Sequence, residues 1–330
     1  MYLGIEIGGT KLQLGLGPGD GTLNALWRDT VNPAAGADGI RGQINVAVPD
    51  LLGKSGIERS KLEGVGIGFG GPVDDATRTV IKSHQIEGWD NFPLADWISE
   101  LVGLPAALGN DADVAGLAEA LFGSGKGLSP IFYITIGSGI GGGLIFDGEI
   151  YRGCGRGAAE IGHLRTFDQR VDLRPRGQQP VLKRALVPLE ELASGWAIGQ
   201  SARDLPASHD SELYRLVCGQ VDRITAAQVG QAASHHDHVA RQILDRAWRH
   251  LAEGIVQVIT LLCPRRVVIG GGVSLMGEEV LFQPLRQLVA ERVFKPFAGC
   301  YDIVPAVLGE EVVVHGALAL ARRRLGGGVP

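Results

Sequence analysis

Short apolar runs rich in β-branched residues alternate along the chain with stretches in which apolar positions recur every three or four residues. The first pattern predicts buried strands, and the second predicts helices that present one apolar face. In 239–263, that face consists of Ile243, Ala247, Leu251, Ile255, Val258 and Leu262. We predict strands at 2–7, 12–16, 22–30, 63–69, 105–108, 131–136, 144–146, 266–269 and 302–305, and helices at 39–53, 94–101, 110–122, 239–263 and 312–324.

Glycine-rich turns interrupt these elements in the same order in both halves of the chain. In the first half, Gly8-Gly9-Thr10 separates two strands, and a later buried strand ends in Gly70-Gly71. In the second half, the run from Gly137 to Gly143 takes the first position and Gly270-Gly271-Gly272 takes the second. This echo predicts two similar α/β lobes with a ligand cleft between them. We place the first lobe at 1–112, completed by a C-terminal helix within 310–330, and the second lobe at 113–309.

The composition favours a cytoplasmic protein over a membrane or nucleic-acid-binding protein. The 330 residues carry a formal net charge of −5, and no apolar run approaches the length of a membrane span. The basic triplet Arg322-Arg323-Arg324 suits the last turn of a helix better than a nucleic-acid surface. The four cysteines are widely spaced and form no CxxC pair, as expected in a reducing compartment. The N-terminus shows no leader pattern.

The run from Gly137 to Gly143 formally matches the dinucleotide fingerprint GxGxxG. That fingerprint requires a helix after its third glycine, whereas Leu144-Ile145-Phe146 predicts a strand. A Walker A loop is also absent, since Gly125-Lys126 lacks the upstream glycine and a following Ser or Thr. The remaining interpretation is a hairpin turn whose successive backbone N–H groups bind phosphate oxygens.

The turn Gly8-Gly9-Thr10-Lys11 offers the same backbone donors, together with a hydroxyl, an ammonium group and the nearby carboxylate of Glu6. Either turn alone would favour the simpler interpretation of a tight hairpin. Two such turns, each at the start of a similar lobe, favour phosphate binding.

Five motifs in a fixed order carry a resemblance to a known family. They are Glu6-Ile7-Gly8-Gly9-Thr10-Lys11, Gly70-Gly71-Pro72, Asn110-Asp111-Ala112, Ile136 to Gly143, and Glu160-Ile161-Gly162-His163. Over nearly its whole length the chain resembles the ROK family of bacterial sugar kinases and related repressors. The resemblance implies an α/β fold of the actin/hexokinase-like (ribonuclease H-like) class. It also implies a phosphotransferase that uses ATP and Mg²⁺ to phosphorylate a sugar hydroxyl.

The resemblance assigns roles to individual residues. Asp111 matches the family's catalytic base, although an Asp at the start of a helix is otherwise explained as capping chemistry. The implied sugar contacts are Gly71, Asn91, Asn110, Asp111, Glu160, His163 and Glu190, with Glu191 as an alternative to Glu190. The implied ATP and phosphate contacts are Glu6, Gly8, Gly9, Thr10, Lys11, Gly137, Ser138, Gly139, Gly271 and Gly272.

The chain departs from the family pattern in two places. Most members carry a zinc-binding cysteine cluster after Glu-x-x-His, but no cysteine occurs here between His163 and Ser194. Zinc is therefore not expected, since thiolates supply most of its ligands. Glu6 stands where the family usually has Asp, and we expect its carboxylate to orient hydrated Mg²⁺. The segment that replaces the cysteine cluster is basic and contains Arg170, Arg174, Arg176, Lys183 and Arg184.

A second candidate metal cluster is His235-His236-Asp237-His238, which precedes a predicted helix. Four polar neighbours in such a position are more simply explained as a solvated helix cap than as a metal site.

The leading functional hypothesis is a glucokinase-like hexose kinase that binds ATP and a sugar and forms a homodimer or homotetramer. Kinases for fructose or for an N-acetylated amino sugar are alternatives within the same chemistry. A catalytically weak, sugar-binding regulatory protein is the alternative from another class, suggested by Glu6 and by the missing cysteine cluster. A DNA-binding repressor is disfavoured, because the family's repressors carry a DNA-binding domain ahead of the Gly-Gly-Thr turn, whereas only five residues precede Glu6 here.

Overall fold

The computed structural model describes residues 1–74, 76–83, 85–168, 171–172, 181–182, 185–205 and 211–326. The chain divides into two compact units. The first comprises Met1–Tyr133, Gly143–Ala159 and Ala306–Pro330, and the second comprises Ile134–Gly142 and Glu160–Pro305. In the described part of the chain, no helix combines the length and the apolar character that crossing a membrane requires.

The first unit is built on a five-stranded sheet. The strands of this unit are β1 (Tyr2–Ile7), β2 (Lys11–Gly17), β3 (Ala25–Thr30), β4 (Gly64–Phe69), β5 (Val73–Asp74), β6 (Thr79–Val80) and β7 (Ala106–Asn110). Of these, β5 and β6 form a separate two-stranded sheet. Its helices are α1 (Gly36–Ser55), α2 (Leu94–Val102), α3 (Asp111–Leu121) and the C-terminal α10 (Val312–Leu325). The sheet order is β3-β2-β1-β4-β7, with β1 parallel to β4, β4 parallel to β7, and the other pairs antiparallel.

Alternate residues of a strand point to opposite sides of the sheet. Both sides are buried here, because helices cover each of them. Leu3 and Ile5 of β1 belong to the core shared with α1 and α2, whereas Tyr2 packs with Leu318 of α10. Helix α10 lies so close to the sheet that a Cβ on Gly66 of β4 would be 1.8 Å from the carbonyl oxygen of Ala317. Glycine in the strand is what permits this approach.

The remaining strands are β8 (Ile131–Ile136), β9 (Ile140–Phe146), β10 (Glu149–Ile150), β11 (Arg165–Asp168), β12 (Val171–Asp172), β13 (Val181–Leu182), β14 (Ala185–Pro188), β15 (Arg266–Gly270) and β16 (Asp302–Pro305). Five of them form a second sheet with the order β10-β9-β8-β15-β16. The helices are α4 (Glu190–Ala193), α5 (Gly195–Arg203), α6 (Glu212–Leu216), α7 (Ala226–Ser234), α8 (His238–Leu262) and α9 (Gln283–Arg292). Strands β15 and β16 are parallel.

Helix α8 confirms the predicted apolar face over most of its length. Ile243, Leu251 and Ile255 are buried, but Leu262 is 36% exposed and does not belong to the core. The neighbouring Leu261 is 79% exposed, so the packed part of the helix ends at the buried Ile259, in its last turn.

The division into units differs from the predicted lobes at helix α3. The predicted boundary after residue 112 falls just inside this helix, whereas the whole of α3 lies in the first unit. It packs there against α10.

Candidate functional site

Three parallel strands of the first unit end at the same edge of its sheet. In register, the last residues of β1, β4 and β7 lie beside one another, and the residues that follow them are Gly8, Gly70 and Asp111. A Cβ on Gly70 would lie 3.5 Å from both Asp111 Oδ2 and Gly8 Cα. The carboxyl edge of parallel strands is where open α/β sheets bind ligands. The sheet thus brings together predicted residues that are about a hundred positions apart in sequence.

Asn110 is the N-cap of α3. Its Oδ1 accepts hydrogen bonds from the backbone N–H groups of Ala112 (2.9 Å) and Asp113 (3.4 Å), and its Nδ2 donates to the carbonyl oxygen of Gly71 (3.0 Å). Oδ1 of Asp111 accepts from the N–H of Ala112 at 2.8 Å. Because Asn110 provides the main cap, the Asp111 carboxylate lies at the sheet edge with Oδ2 directed toward Gly70.

The other sugar contacts implied for the first unit lie in loops. The N–H of Gly71 donates to the carbonyl oxygen of Phe69 at 2.8 Å. This backbone donor, which could otherwise contact a sugar, is thus engaged in a tight turn. Asn91 is exposed, has a left-handed backbone with φ of 54°, and donates its N–H to the carbonyl oxygen of Ile81 at 3.3 Å.

Glu6 is buried at the start of the β1–β2 turn. Its Oε1 lies 3.1 Å from Lys11 Nζ, and its Oε2 accepts from Gln13 Nε2 at 3.1 Å. Lys11 and Gln13 also donate to the carbonyl oxygen of Glu310, at 3.0 and 3.1 Å. Burial raises the pKa of Glu6 to about 7, the ammonium of Lys11 opposes this rise, and the carboxylates of Asp111 and Glu310 add to it.

The surroundings of Glu6 fit an indirect metal contact only. Both of its carboxylate oxygens face donors of Lys11 and Gln13. In the described ranges, no three His, Cys, Asp or Glu side chains are grouped so that they would hold a metal ion. Mg²⁺ usually keeps several waters and is held largely by substrate phosphates. The donor set is therefore compatible with an ion that reaches Glu6 through water, and this role of Glu6 stays a prediction.

The histidine-rich stretch before α8 is a helix cap, as predicted. Oδ1 of Asp237 accepts from the N–H of Ala240 at 2.9 Å, and Nδ1 of His235 lies 2.6 Å from Glu212 Oε1. The basic residues of the segment that replaces the cysteine cluster lie outside the described residues.

The β8–β9 turn of the second unit is shorter than predicted. It consists of Gly137, Ser138 and Gly139, because β9 already begins at Ile140, and the predicted turn from Gly137 to Gly143 is wrong in length. The later glycines belong to the strand, where a Cβ on Gly143 would lie 2.9 Å from the carbonyl oxygen of Ala112. They serve close packing rather than turning.

Two hydrogen bonds fix the conformation of the β8–β9 turn. The N–H of Gly137 donates to the carbonyl oxygen of Gly139 at 3.0 Å, and the N–H of Gly195 donates to the carbonyl oxygen of Gly137 at 2.8 Å. The second bond ties the turn to the start of α5, where Ser194 Oγ accepts from the N–H of Ala197. The turn thus lies against the N-terminal end of a capped helix.

Glu190 contacts this turn directly. Its Oε2 accepts from the N–H of Ile140 at 3.4 Å and would lie 2.9 Å from a Cβ on Gly139. Glu191, the alternative raised by the sequence, is exposed. Of the two glutamates, Glu190 is the one that these contacts place beside the predicted phosphate turn.

Glu160 precedes a short 3-10 helix of the second unit, Ile161–His163, and His163 is its last residue. Both are exposed, whereas Ile161 and Gly162 between them are buried. The helix packs on β9, since a Cβ on Gly162 would lie 2.1 Å from the carbonyl oxygen of Ile140. Burial of the middle residues leaves the two predicted sugar ligands on the outer side of the turn.

A cavity of about 700 Å³ lies beside the β8–β9 turn, and the described residues that line it belong to the second unit. Its size is typical of a small-molecule site. The predicted residues Gly137, Ser138 and Gly272 line it, and Gly271 comes directly before the 3-10 helix Gly272–Met276 in its wall.

Most of the cavity lining was not predicted from the sequence. Helices α5 and α7 supply it, through Trp196, Arg203, Thr225, Gly230, Gln231 and Ser234 among others. One signal was present: Thr225 and Gln228 form a capping box at the start of α7. The pattern Thr-x-x-Gln marks a helix start in sequence, and so would have located this wall.

Comparison with known proteins gives a consistent result over the whole length. The ROK family pattern matches residues 2–324. The glucokinase of Thermotoga maritima is 33% identical over 327 residues, 98% of each chain. A putative fructokinase of Bacillus subtilis is 28% identical over 339 residues, 98% of this chain and 96% of the relative.

The solved structures agree. The crystal structure of a ROK family glucokinase from Streptomyces griseus in complex with glucose and AMPPNP has a TM-score of 0.79 and 31% identity, and the match covers 98% of this chain and 99% of that one. The predicted actin/hexokinase-like α/β fold is confirmed. With the family pattern matched from residue 2 to residue 324, the chain belongs to the ROK family.

Proposed function

We propose that the protein is an ATP-dependent hexose kinase of the glucokinase type, with Asp111 as its general base. The observation that carries the proposal is the common edge of β1, β4 and β7, where the Asp111 carboxylate lies beside Gly70 and Gly8. A carboxylate next to a glycine turn provides a proton acceptor close to backbone phosphate donors. The glucokinases similar to this chain, one of them solved with glucose and AMPPNP, support the same reaction.

In the proposed reaction, Asp111 accepts the proton of a sugar hydroxyl as the hydroxyl oxygen attacks the γ-phosphorus of ATP. A new bond forms between that oxygen and phosphorus, and the bond from phosphorus to the β–γ bridging oxygen breaks to release ADP. Asn110 holds Asp111 at the start of α3 through its cap and through its bond to Gly71. Bound Mg²⁺ would neutralise charge on the phosphates.

The sugar contacts proposed are Gly71, Asn91, Asn110, Asp111, Glu160, His163 and Glu190. Their carboxylate and amide groups suit a polyol, whose hydroxyl groups need matched partners once water is displaced. Glucose is the proposed substrate, and fructose or an N-acetylated amino sugar is the alternative within the same chemistry.

The nucleotide is proposed to occupy the cavity of the second unit. The apolar and aromatic part of its wall, with Trp196, Val273 and Met276, suits a purine ring. In this proposal, phosphate oxygens accept from backbone N–H groups of the β8–β9 turn other than that of Gly137, which already donates to the carbonyl oxygen of Gly139. We also propose that the enzyme is cytoplasmic and that it forms a homodimer or homotetramer. Light scattering of the purified protein would test the oligomeric state.

A coupled assay that follows ADP release, run with ATP and a panel of hexoses, tests the proposal. We expect turnover with glucose above every other sugar. Preference for fructose or an N-acetylated amino sugar would reassign the substrate and keep the reaction class. The second candidate is a sugar-binding regulatory protein, favoured by the raised pKa of Glu6. Calorimetric sugar binding without turnover on any sugar would establish that candidate and overturn the kinase.

A further inference from the structure

Asn91 lies between two aromatic anchors. Trp89, which is fully buried, packs edge-to-face on Phe69 and on Phe92, with ring centroids 5.3 Å apart in both pairs. Phe92 packs in turn on Trp97 of α2, at 6.1 Å. These rings fix the chain on either side of Asn91 to the end of β4 and to α2.

A cation covers these rings from outside. The guanidinium carbon of Arg41, on α1, lies 4.4 Å from the ring centroid of Phe92 and 5.4 Å from that of Trp89. Arg41 also forms an ion pair with Asp38. Its Nη1 is buried and makes no hydrogen bond to a described residue, so ring contact and Asp38 account for the position of the side chain.

The backbone between these anchors turns at Asn91. Asn91 has a positive φ of 54°, in the left-handed region that asparagine adopts more readily than most residues other than glycine. The N–H of Ala37, at the start of α1, donates to the carbonyl oxygen of Glu87 at 2.9 Å, so the same helix holds the loop at a second point. Helix α1 therefore contacts both ends of the loop that carries Asn91.

We propose that Arg41 is a positioning residue for sugar binding. By lying over the rings of Phe92 and Trp89, its guanidinium holds the loop in which Asn91 is presented, without contacting the sugar. A planar guanidinium suits this role, since it stacks on aromatic faces as an ammonium group does not. The inference rests on the proposed function, in which Asn91 binds a sugar hydroxyl.

The test compares Arg41→Leu and Arg41→Lys with Lys54→Leu, a charge removal on the same helix away from the rings. Glucose affinity is measured by calorimetry without nucleotide, and kcat and the KM values for glucose and ATP are measured on the same proteins. We expect Arg41→Leu to weaken glucose binding about tenfold and to raise the glucose KM equally. Arg41→Lys should fall in between. The ATP KM should not change in any variant, and Lys54→Leu should match the parent protein.

Four outcomes overturn the inference. Unchanged glucose affinity in Arg41→Leu would show that the stack does not position the loop. A parallel loss of kcat, ATP affinity and melting temperature would show a general structural role. Full activity of Arg41→Lys would show that charge rather than stacking matters. If Arg41→Leu does not fold, Phe92→Leu removes the other half of the contact and must show the same selective loss. If the parent protein binds no sugar, the proposed function fails, and the inference with it.

Discussion

The β1–β2 turn and the β8–β9 turn share a strand–glycine–strand form but differ in their surroundings. The first turn lies beside a buried carboxylate, Glu6, which is held by Lys11 and Gln13. The second lies beside a cavity whose wall is largely apolar and aromatic, and Glu190 is the carboxylate that contacts it. Similar sequence patterns have thus been placed in a charged and in a mostly uncharged environment.

This difference shows that a glycine turn acquires its role from what packs around it. Backbone N–H groups occur in both turns, so the phosphate binding proposed for each would not distinguish the two sites. Under the proposed function, the charged surroundings of the first turn are assigned to catalysis and the cavity at the second turn to the nucleotide base. Changes at the first turn should therefore alter catalysis and pH dependence, and changes at the second should alter ATP affinity.

Asp111→Asn should give the largest effect and should act on catalysis alone. Removing a general base lowers kcat by about 10²- to 10⁴-fold, whereas an amide of the same shape leaves glucose affinity intact. Steady-state kinetics and calorimetry on the same sample separate the two. Asp96→Asn, which changes an acidic residue in the first turn of α2, is the matched control and should not alter kcat. An unchanged kcat in Asp111→Asn would remove this residue from the role of base.

Glu6→Gln should change how stability depends on pH. The pKa of Glu6 in the folded chain, about 7, lies above the reference value of 4.5. Between these two pH values the folded chain therefore retains a proton that the unfolded chain has lost. The stability that this proton provides is complete below about pH 4.5 and is lost as pH rises to about 7, a change of about 3 kcal/mol. Glu6→Gln should lack this slope.

Urea unfolding at a series of pH values measures the slope directly. Glu100→Gln, a change at an exposed glutamate of the same unit, should keep the slope of the parent protein. Identical slopes in Glu6→Gln and the parent protein would contradict the assignment of a raised pKa to Glu6.

Trp196→Ala tests the second turn and should raise the KM for ATP about tenfold. Trp196 lines the cavity and is 59% exposed, so its removal takes away a ring contact with the nucleotide at little cost to folding. Glucose affinity should not change. Phe294→Ala removes an exposed aromatic residue of the same unit that does not line the cavity, and should leave the ATP KM unaltered. Equal effects of the two variants would place the nucleotide elsewhere.

Local sequence signals predicted the elements of the first site but not its electrostatics. The strands, the turn Gly8-Gly9-Thr10 and the cap at Asn110 follow from short patterns that need no tertiary information. The pKa of Glu6 depends on burial and on Glu310, which is about three hundred residues away in sequence. Likewise, parallel pairing sets the register that brings Asp111 to Gly70, and no local pattern encodes it.

The second site was predicted less completely, because its glycines serve two purposes. Gly137 and Gly139 turn the chain, but Gly143 allows close packing in β9, and the two uses look alike in sequence. The cavity walls come from α5 and α7, which are only 9 residues long each, so an apolar pattern has little length over which to repeat.

Two helix caps, one in each region, provide the finest comparison. Asn110→Ala and Ser194→Ala should each lower the free energy of unfolding by about 1 kcal/mol, because each removes a side-chain acceptor at a helix N-terminus. Only Asn110→Ala should also raise the glucose KM, since Asn110 additionally bonds to Gly71 beside Asp111. Asn110→Asp keeps the cap acceptor but places a carboxylate oxygen against the carbonyl oxygen of Gly71, so it should recover only part of the stability lost in Asn110→Ala while the glucose KM still rises. If Asn110→Asp behaves like the parent protein in both measurements, the bond to Gly71 has no part in the site.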